Sequence, residues 1–357
     1  MHRLALLLVA IVALAGCDVG GLDDDVPQGR AHRIQFGFSD TGPFLGRIDP
    51  VQDAELASRA GATIARVSMG WRAVEPLRDQ YAFAPYDAFY RALRSRGIRV
   101  LWSVSLAPRW AWPRSVRCVG DCHIVPARSE EDEWEEVLQL VARRYPDAVG
   151  IELWNEPNYA GFFGPRVDAK RYTRLLKRGY RAIKRIRPRL PVVHGGLANF
   201  FDADAEREPL EDFLEAIYDH GGGDYTDAIA VHPYPGRPGE SRLLPSIAAA
   251  MRVRDAHGDS EKPIWVTELG VTTTGTDPGL RWTPPGQARE LVGAYRRLAR
   301  TPGVELVAIH TLVEPLADPA NSEAGYGLVR GDLSPKPAYC ALAREVTGGR
   351  GSTRGLC

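Results

Sequence analysis

The chain has 357 residues, 44% of them hydrophobic and 25% charged, which is the composition of an ordinary globular protein. A chain of this length can bury a large core without relying on metals or on many disulfides. Its 45 Lys and Arg residues balance its 45 Asp and Glu residues, so no net basic charge indicates a nucleic acid or an anionic lipid surface as a partner.

The N-terminus resembles an export signal. A basic start is followed by an apolar run at 4–13, which is shorter than the about 20 residues that span a bilayer. Leu-Ala-Gly-Cys at 14–17 then resembles the bacterial lipobox, in which the cysteine is lipidated. We expect residues 1–17 to be a lipoprotein signal peptide and Cys17 to anchor the protein at the outer face of a bacterial membrane, in the periplasm or at the cell surface. An ordinary signal peptide cleaved near Ala15 is the alternative.

Residues 18–32 are rich in Gly and Asp and lack hydrophobic periodicity, so we predict a flexible tether there. No later stretch has the composition of an interdomain linker. Residues 33–357 are therefore predicted to form a single domain.

Eight short apolar or β-branched runs, separated by helical patterns, follow in this domain. They lie at 34–38, 63–67, 99–104, 148–153, 191–193, 228–231, 263–266 and 305–309. Capping signals predict helix starts at Asp49-Pro50, at Ser129 and at Thr283-Pro284. Eight alternating strands and helices indicate parallel βα units, and no Gly-rich phosphate loop follows the first strand. We therefore predict a single (β/α)8 TIM barrel rather than an open doubly wound sheet.

Four cysteines besides the lipobox cysteine allow three pairings. Export predicts an oxidising compartment, and proximity in sequence favours the pairs Cys118–Cys122 and Cys340–Cys357. The alternative is a zinc site at Cys118, Cys122 and His123, but no second cluster completes its tetrahedron. No metal is therefore expected.

Two carboxylates follow strands that lie across the predicted barrel from one another. Strand four ends in Trp-Asn-Glu-Pro with Glu156, and strand seven ends in Val-Thr-Glu with Glu268. Active sites of such barrels lie at the C-terminal ends of the strands. Cleavage of a glycosidic bond with retention needs an acid and a nucleophilic carboxylate about 5–5.5 Å apart. Alternation along the strand directs Glu152 away from Glu156, so we predict a structural salt bridge for it.

These residues resemble clan A of the glycoside hydrolases, and the likeness to families 39 and 5 extends over nearly the whole domain. The further matching segments are Ala65-Arg66-Val67, Pro108-Arg109-Trp110, His232-Pro233-Tyr234, Tyr326-Gly327-Leu328-Val329 and Lys336-Pro337-Ala338-Tyr339.

The resemblance implies a role for each matching residue. Glu156 would be the acid/base and Glu268 the nucleophile. Asn155 would bind the sugar 2-hydroxyl, while Arg66 and Tyr234 would orient Glu268 and tune its pKa. This chemistry needs no metal or organic cofactor.

The resemblance also implies a substrate contact for His232, because the clan's His-x-Tyr motif at the end of strand six contacts the catalytic centre. Residue type and position make Trp110, Trp112 and Trp282 candidate stacking platforms for sugar rings. Strand eight carries no indole where the clan usually has an aromatic side chain, and His310 is the candidate replacement. The tryptophans that precede strand tips are predicted to be core residues: Trp102, Trp154 and Trp265.

Together these features predict an exported, monomeric, lipid-anchored retaining β-glycosidase that acts on a polysaccharide or oligosaccharide. An endo-β-glucanase or mannanase of the family 5 type is the alternative within this class. A carbohydrate-binding surface lipoprotein on a catalytically inactive barrel is the alternative from another class. The sugar depends on the predicted loops at 105–128, 197–210 and 312–330.

Overall fold

The computed structural model describes residues 26, 28–40, 48–118, 120, 122–314, 318–350, 353 and 355–357. The predicted signal peptide, Cys17 and most of the predicted tether lie outside these residues. Within the described ranges, no helix combines the length and the hydropathy needed to cross a membrane.

A parallel sheet forms the centre of the domain. Its strands are β1 (Gln35–Asp40), β2 (Ile64–Gly70), β3 (Arg99–Ser105), β4 (Gly150–Leu153), β5 in two pieces (Val192–His194 and Leu197–Ala198), β6 (Ile229–His232), β7 (Ile264–Leu269) and β8 (Val304–His310). The first piece of β5 pairs with β4 and the second with β6, while β1 pairs with both β2 and β8. Because the two pieces of β5 are separated by two residues, they close the sheet into a ring. The predicted (β/α)8 barrel is confirmed.

Helices connect the strands on the outside of the ring. They are α1 (Pro50–Arg59), α2 (Trp71–Val74), α3 (Ala84–Ser95), α4 (Glu131–Arg144), α5 (Ala169–Ile186), α6 (Leu210–Asp219), α7 (Leu243–Ala256), α8 (Pro284–Leu298) and α9 (Pro337–Thr347). Asp49 and Thr283 cap α1 and α8 as predicted, since each side chain accepts backbone N–H groups of its first turn. The predicted start at Ser129 is wrong. A 3-10 turn at 128–130 precedes α4, and the Ser129 hydroxyl donates to Glu130 instead.

Side chains alternate between the helix layer and the barrel interior. Residues such as Val67 and Ile309 pack outward in the main core, whereas Ile64, Leu101 and Leu306 belong to a separate apolar cluster inside the ring. A polar layer lies next to that cluster, towards the C-terminal ends of the strands. Its members are Ser39, Arg66, Ser103, Glu152, His232 and Thr267, all at most 1% exposed. The barrel interior is thus apolar at one end and polar where the site forms.

Residues from the predicted tether lie against the base of the barrel. Val26 packs against Leu244 in a small apolar cluster. The Gly29 amide donates to the Arg300 carbonyl, and a ring nitrogen of His32 lies 2.8 Å from the Val304 carbonyl oxygen. Apolar burial of Val26 and the hydrogen bonds of Gly29 and His32 thus hold these three residues on the domain, within the stretch predicted to be a tether.

Both predicted disulfides are confirmed. Cys118 is bonded to Cys122 and Cys340 to Cys357, with Cα–Cα distances of 6.4 and 5.8 Å. The first bond consumes both sulfurs of the alternative zinc site. The second ties the C-terminus to α9.

The core predictions for tryptophan are also confirmed. Trp102, Trp154 and Trp265 are 0%, 1% and 5% exposed. Trp102 and Trp154 belong to the main core and Trp265 to the apolar cluster inside the ring, so none of them is accessible to a substrate.

Candidate active site

A strained turn after β4 presents Glu156. Trp154 and Glu156 have φ angles of 83° and 42°, in a left-handed region that L-residues rarely adopt. The Glu156 amide donates to the Gly196 carbonyl over 3.1 Å. Asn158 is buried, and its side-chain amide forms hydrogen bonds of 3.0 and 2.8 Å with both backbone groups of Ala198. The second piece of β5 therefore holds the turn in place, and Asn158 is a supporting residue that the sequence analysis missed.

His232, at the end of β6, supports the side chain of Glu156. Its Nδ1 lies 2.9 Å from Glu156 Oε1, and its Nε2 lies 3.1 Å from Thr267 Oγ1. A Cβ at residue 196 would lie only 2.1 Å from Nε2 of His232, so the imidazole can lie this close to the backbone only because residue 196 is glycine. Because His232 is fully buried, the prediction that it contacts substrate is corrected. It positions Glu156 from behind.

Glu268, at the end of β7, is held on both carboxylate oxygens. Arg66 Nη1 donates to Oε1 over 2.5 Å, and the Tyr234 hydroxyl donates to Oε2 over 2.7 Å. Burial alone would raise the pKa of Glu268, but the nearby His232, the guanidinium of Arg66, His310 and the Tyr234 hydrogen bond lower it well below its usual range. Glu268 is therefore a carboxylate at neutral pH.

Arg66 connects Glu268 to the polar layer of the barrel. Its guanidinium donates to Glu152 over 2.6 Å, to Asn155 Oδ1 over 2.7 Å and to Ser103 over 3.1 Å. Although burial by itself lowers the pKa of Arg66, the carboxylates of Glu152 and Glu268 raise it above its usual value. The predicted salt bridge of Glu152 is present, and it lies under the site rather than away from it.

The two glutamates face one another across the mouth of the barrel. A carboxylate oxygen of Glu156, one of Glu268 and a ring nitrogen of His232 all lie within 4.8 Å of each other. Retaining glycosidases place their two carboxyl groups about 5–5.5 Å apart and inverting ones about 6.5–9.5 Å apart. The nearest oxygens of the pair thus lie closer together than the carboxyl groups of inverting enzymes. The same three groups could hold a metal ion, but Arg66 and Tyr234 already occupy both oxygens of Glu268.

His310 and Tyr326 form the side of the site at the end of β8. The rings of His310 and Tyr326 lie 5.2 Å apart, and that of Tyr234 lies 5.8 Å from Tyr326. His310 Nε2 lies 3.1 Å from Glu323 Oε2. Burial alone would lower the pKa of His310, but Glu323 and the charge of Glu268 raise it to about 9. The strand-eight position that lacks an indole thus carries His310, whose ring packs on Tyr326.

The predicted tryptophan platforms lie away from this network. The Arg78 guanidinium is 4.4 Å from the centre of the Trp110 ring, and Trp112 donates to the Ala107 carbonyl. Trp282 donates to the Gly236 carbonyl. Among the described residues, none of these three rings forms a hydrogen bond or ring contact with the two glutamates. One face of Trp110 is covered by Arg78, which argues against sugar stacking on that face.

Comparison with known proteins identifies relatives of this chain. The family model for glycosyl hydrolases family 39 matches residues 58–259. The matched stretch contains Arg66, Glu156 and Tyr234 and ends nine residues before Glu268, at the start of the segment that leads into β7. No curated protein sequence matches the chain.

Solved glycoside hydrolases share the fold. A family 39 glycoside hydrolase from the gut symbiont Bacteroides cellulosilyticus has a TM-score of 0.71 and 24% identity, over 91% of this chain and 64% of that one. A monomeric β-xylosidase from Caulobacter crescentus has a TM-score of 0.68 and 18% identity, over 89% of this chain and 69% of that one. A family 5, subfamily 18 protein from Streptomyces cattleya, in complex with Manβ1-4GlcNAc, has a TM-score of 0.66 and 18% identity, over 91% of this chain and 83% of that one. The chain thus spans 64% of the length of the first of these proteins.

Proposed function

The chain belongs to glycosyl hydrolase family 39, and from this membership and the geometry of its two glutamates we propose that it is a retaining β-glycoside hydrolase. The observation that carries the proposal is the spacing of the pair. One oxygen of Glu156 and one of Glu268 lie within 4.8 Å of each other, whereas inverting enzymes place their carboxyl groups about 6.5–9.5 Å apart.

In the proposed reaction, Glu268 attacks the anomeric carbon while Glu156 gives its proton to the departing glycosidic oxygen. The bond from the anomeric carbon to that oxygen breaks, and a covalent bond to Glu268 forms. Glu156 then removes a proton from water, whose oxygen attacks the same carbon and releases Glu268. The two inversions give net retention. Arg66 and Tyr234 favour the departing carboxylate of Glu268 in the second step, because both hydrogen bonds are stronger to an anion.

The substrate we propose is a β-linked polysaccharide or oligosaccharide. Structural relatives are described as a β-xylosidase and as a protein bound to Manβ1-4GlcNAc, both β-configured. The relative from Caulobacter is described as monomeric, and we propose the same state for this chain. Specificity within the class, including endo-glucanase or mannanase action, is decided by a panel of aryl β-glycosides and defined β-glucans, mannans and xylans.

A mechanism-based 2-deoxy-2-fluoro glycoside tests the assignment of the nucleophile. Mass spectrometry of the inactivated enzyme is expected to place the fluorosugar on the peptide that contains Glu268. Glu268→Gln should abolish labelling and turnover. Glu156→Gln should slow substrates with poor leaving groups by about 10²–10⁴-fold, the usual contribution of a general acid, and slow dinitrophenyl glycosides less. The exposed residue Glu261 provides a matched control, and Glu261→Gln should behave as wild type.

The alternative is a carbohydrate-binding protein on an inactive barrel. It predicts no turnover and no labelling across the panel while a sugar still binds. Labelling of a residue other than Glu268, or wild-type activity in either glutamate variant, would overturn the proposed mechanism.

We also propose that the protein is exported and anchored by lipid on Cys17. The support is the sequence at 14–17 and the apolar run before it. In a bacterial host, the wild type should fractionate with membranes and incorporate labelled palmitate, whereas Cys17→Ser should do neither. Soluble export of the wild type would instead support an ordinary signal peptide cleaved near Ala15.

A further inference from the structure

One helix concentrates positive charge in a chain whose net charge is zero. α5 carries eight Lys and Arg residues within Ala169–Ile186 and no Asp or Glu. Its apolar face packs into the core and includes Leu175, Leu176 and Ile183. The overall charge balance therefore conceals a local excess on the outer face of this helix.

Four of these cations form a single row. Lys170, Arg174, Lys177 and Arg181 are spaced by four, three and four residues, which places them on one face of a helix. At a rise of about 1.5 Å per residue, the row is about 16 Å long. All four side chains are exposed or half-buried.

The row lies in a groove rather than on a convex surface. The groove has a volume of about 910 Å³ and is lined by residues of α5, by Arg128 and Arg166, and by His220, whose carbonyl accepts from Lys177. Asp168 is the acidic residue of the lining, and its carboxylate caps α5 by accepting the Arg171 amide. The groove therefore presents cations along its whole length.

Part of this charge is already paired. Arg174 lies 2.7 Å from Glu131, and Arg178 lies 2.7 Å from Glu135. Arg128, Arg166 and Lys170 have no ion-pair partner in the described part of the chain, and Lys177 donates to a backbone carbonyl, that of His220. At least four cations thus keep their full charge for a ligand.

We propose that this groove binds an anionic polysaccharide, a linear chain that carries carboxylate or sulfate groups. A row of cations at one-turn intervals in an elongated concavity complements repeated anions along an extended polymer. A flat lipid surface fits a concave groove poorly, because its headgroups cannot follow the walls. The groove begins at the N-terminal end of α5, the same end of the barrel as the mouth with Glu156, and lies on the outer wall. It is therefore a binding surface separate from the two glutamates.

Dextran sulfate and neutral dextran of equal length test the proposal, because they differ only in charge. The protein is the mature chain with Glu268→Gln, so that binding is measured without turnover. We expect dextran sulfate to bind and dextran not to bind in about 50 mM NaCl, with affinity falling steeply as salt rises. The triple variant Arg166→Gln, Lys170→Gln, Lys177→Gln should bind at least about tenfold more weakly, since it removes three unpaired charges.

A second triple variant with the same change in net charge is the control. Its residues are exposed and lie outside the groove: Arg33→Gln, Arg91→Gln and Arg300→Gln. It should lose less than about threefold in affinity if the groove, and not net charge, determines binding. Both variants should unfold at the wild-type temperature.

Equal binding of the two triple variants, or no preference for dextran sulfate over dextran, overturns the proposal. Tighter binding to vesicles of anionic lipid than to dextran sulfate, lost in the first triple variant, assigns the groove to a membrane surface instead. Polygalacturonate in place of dextran sulfate distinguishes carboxylate from sulfate as the preferred anion. None of these outcomes depends on whether the barrel hydrolyses glycosides.

Discussion

The hydroxyl of Tyr234 lies 2.7 Å from Oε2 of Glu268, on the opposite oxygen from Arg66. Burial, followed by the charge of Glu268, raises the pKa of Tyr234 well above its usual value, so the phenol stays a donor. The carboxylate therefore keeps two fixed donors and a defined orientation. A nucleophile held in this way needs little reorganisation when the glycosyl bond forms and breaks.

Tyr234→Phe should destabilise the anionic form of Glu268. Loss of a hydrogen bond to a charged group costs about 1.5–3 kcal/mol, so kcat/KM should fall about 10- to 100-fold. The pKa of Glu268 should rise, because the removed bond favoured the carboxylate. The acidic limb of the profile of kcat/KM against pH should therefore move to higher pH, as measured with an aryl glycoside from pH 3 to 9.

Tyr326→Phe is the matched control for this change. Tyr326 packs 5.8 Å from the ring of Tyr234, and its hydroxyl forms no hydrogen bond to Glu268 among the described contacts. The acidic limb should stay in place in this variant. An identical shift in both variants would contradict a specific role for the Tyr234 hydroxyl.

Arg66 and Glu152 form a fully buried pair 2.6 Å apart. Arg66→Met should destabilise the fold by about 3–5 kcal/mol, because it leaves the Glu152 carboxylate buried without its partner. Adding Glu152→Gln should recover much of that stability but not activity, since Glu268 still lacks its guanidinium donor. Denaturant unfolding and kcat/KM of the two single variants and the double variant give the complete cycle. Recovery of activity in the double variant would show that Arg66 acts only on stability.

The strands were predictable because the parallel strands of a barrel are buried on both faces and therefore appear as apolar runs. All eight predicted runs overlap observed strands. The second piece of β5, Leu197–Ala198, was not predicted. It follows Gly195-Gly196, is only two residues long and becomes a strand through pairing with β6. Long-range pairing of this kind leaves no local pattern.

The sequence predicted the site residues that belong to a recognisable motif. It did not predict roles that depend on the direction of a side chain. The motifs placed Glu156, Glu268, Arg66 and Tyr234 at strand ends, and the structure brings these four together. The direction of His232 depends on the closure of the ring and on the close approach of Gly196. For that reason the sequence could not separate a residue that supports Glu156 from one that contacts substrate.

His310 should titrate at about pH 9 in the free protein. Its Nε2 bonds to Glu323, and removal of that carboxylate by Glu323→Gln should lower the pKa of His310 because burial then dominates. Imidazole signals followed by NMR from pH 5 to 10 measure the change. The remaining histidines are the internal control and should keep their titration curves. An unchanged His310 signal would show that Glu323 does not set its charge.

His194 makes the stability of the barrel dependent on pH. It is buried in the first piece of β5, where one ring nitrogen contacts the Gly195 carbonyl and the other accepts the Ala230 amide. Burial lowers the pKa of His194 from 6.5 to about 4. A histidine whose pKa is lower in the folded state contributes stability above its unfolded pKa, and this contribution is lost as pH falls.

The window for this loss runs from pH 6.5 down to about 4. In it the unfolded chain binds a proton that the folded chain does not, and a shift of this size corresponds to about 3 kcal/mol. We expect His194→Gln, which removes both ring contacts, to lower the free energy of unfolding most above pH 6.5 and less at pH 4. Urea unfolding of wild type and variant at several pH values measures the difference between their free energies of unfolding. The titration of carboxylates affects both proteins equally and therefore cancels in this difference. Exposed His220 provides the control, since His220→Gln should change stability equally little at both ends of the window. A cost of His194→Gln that does not vary with pH would mean that folding leaves the pKa of His194 unchanged.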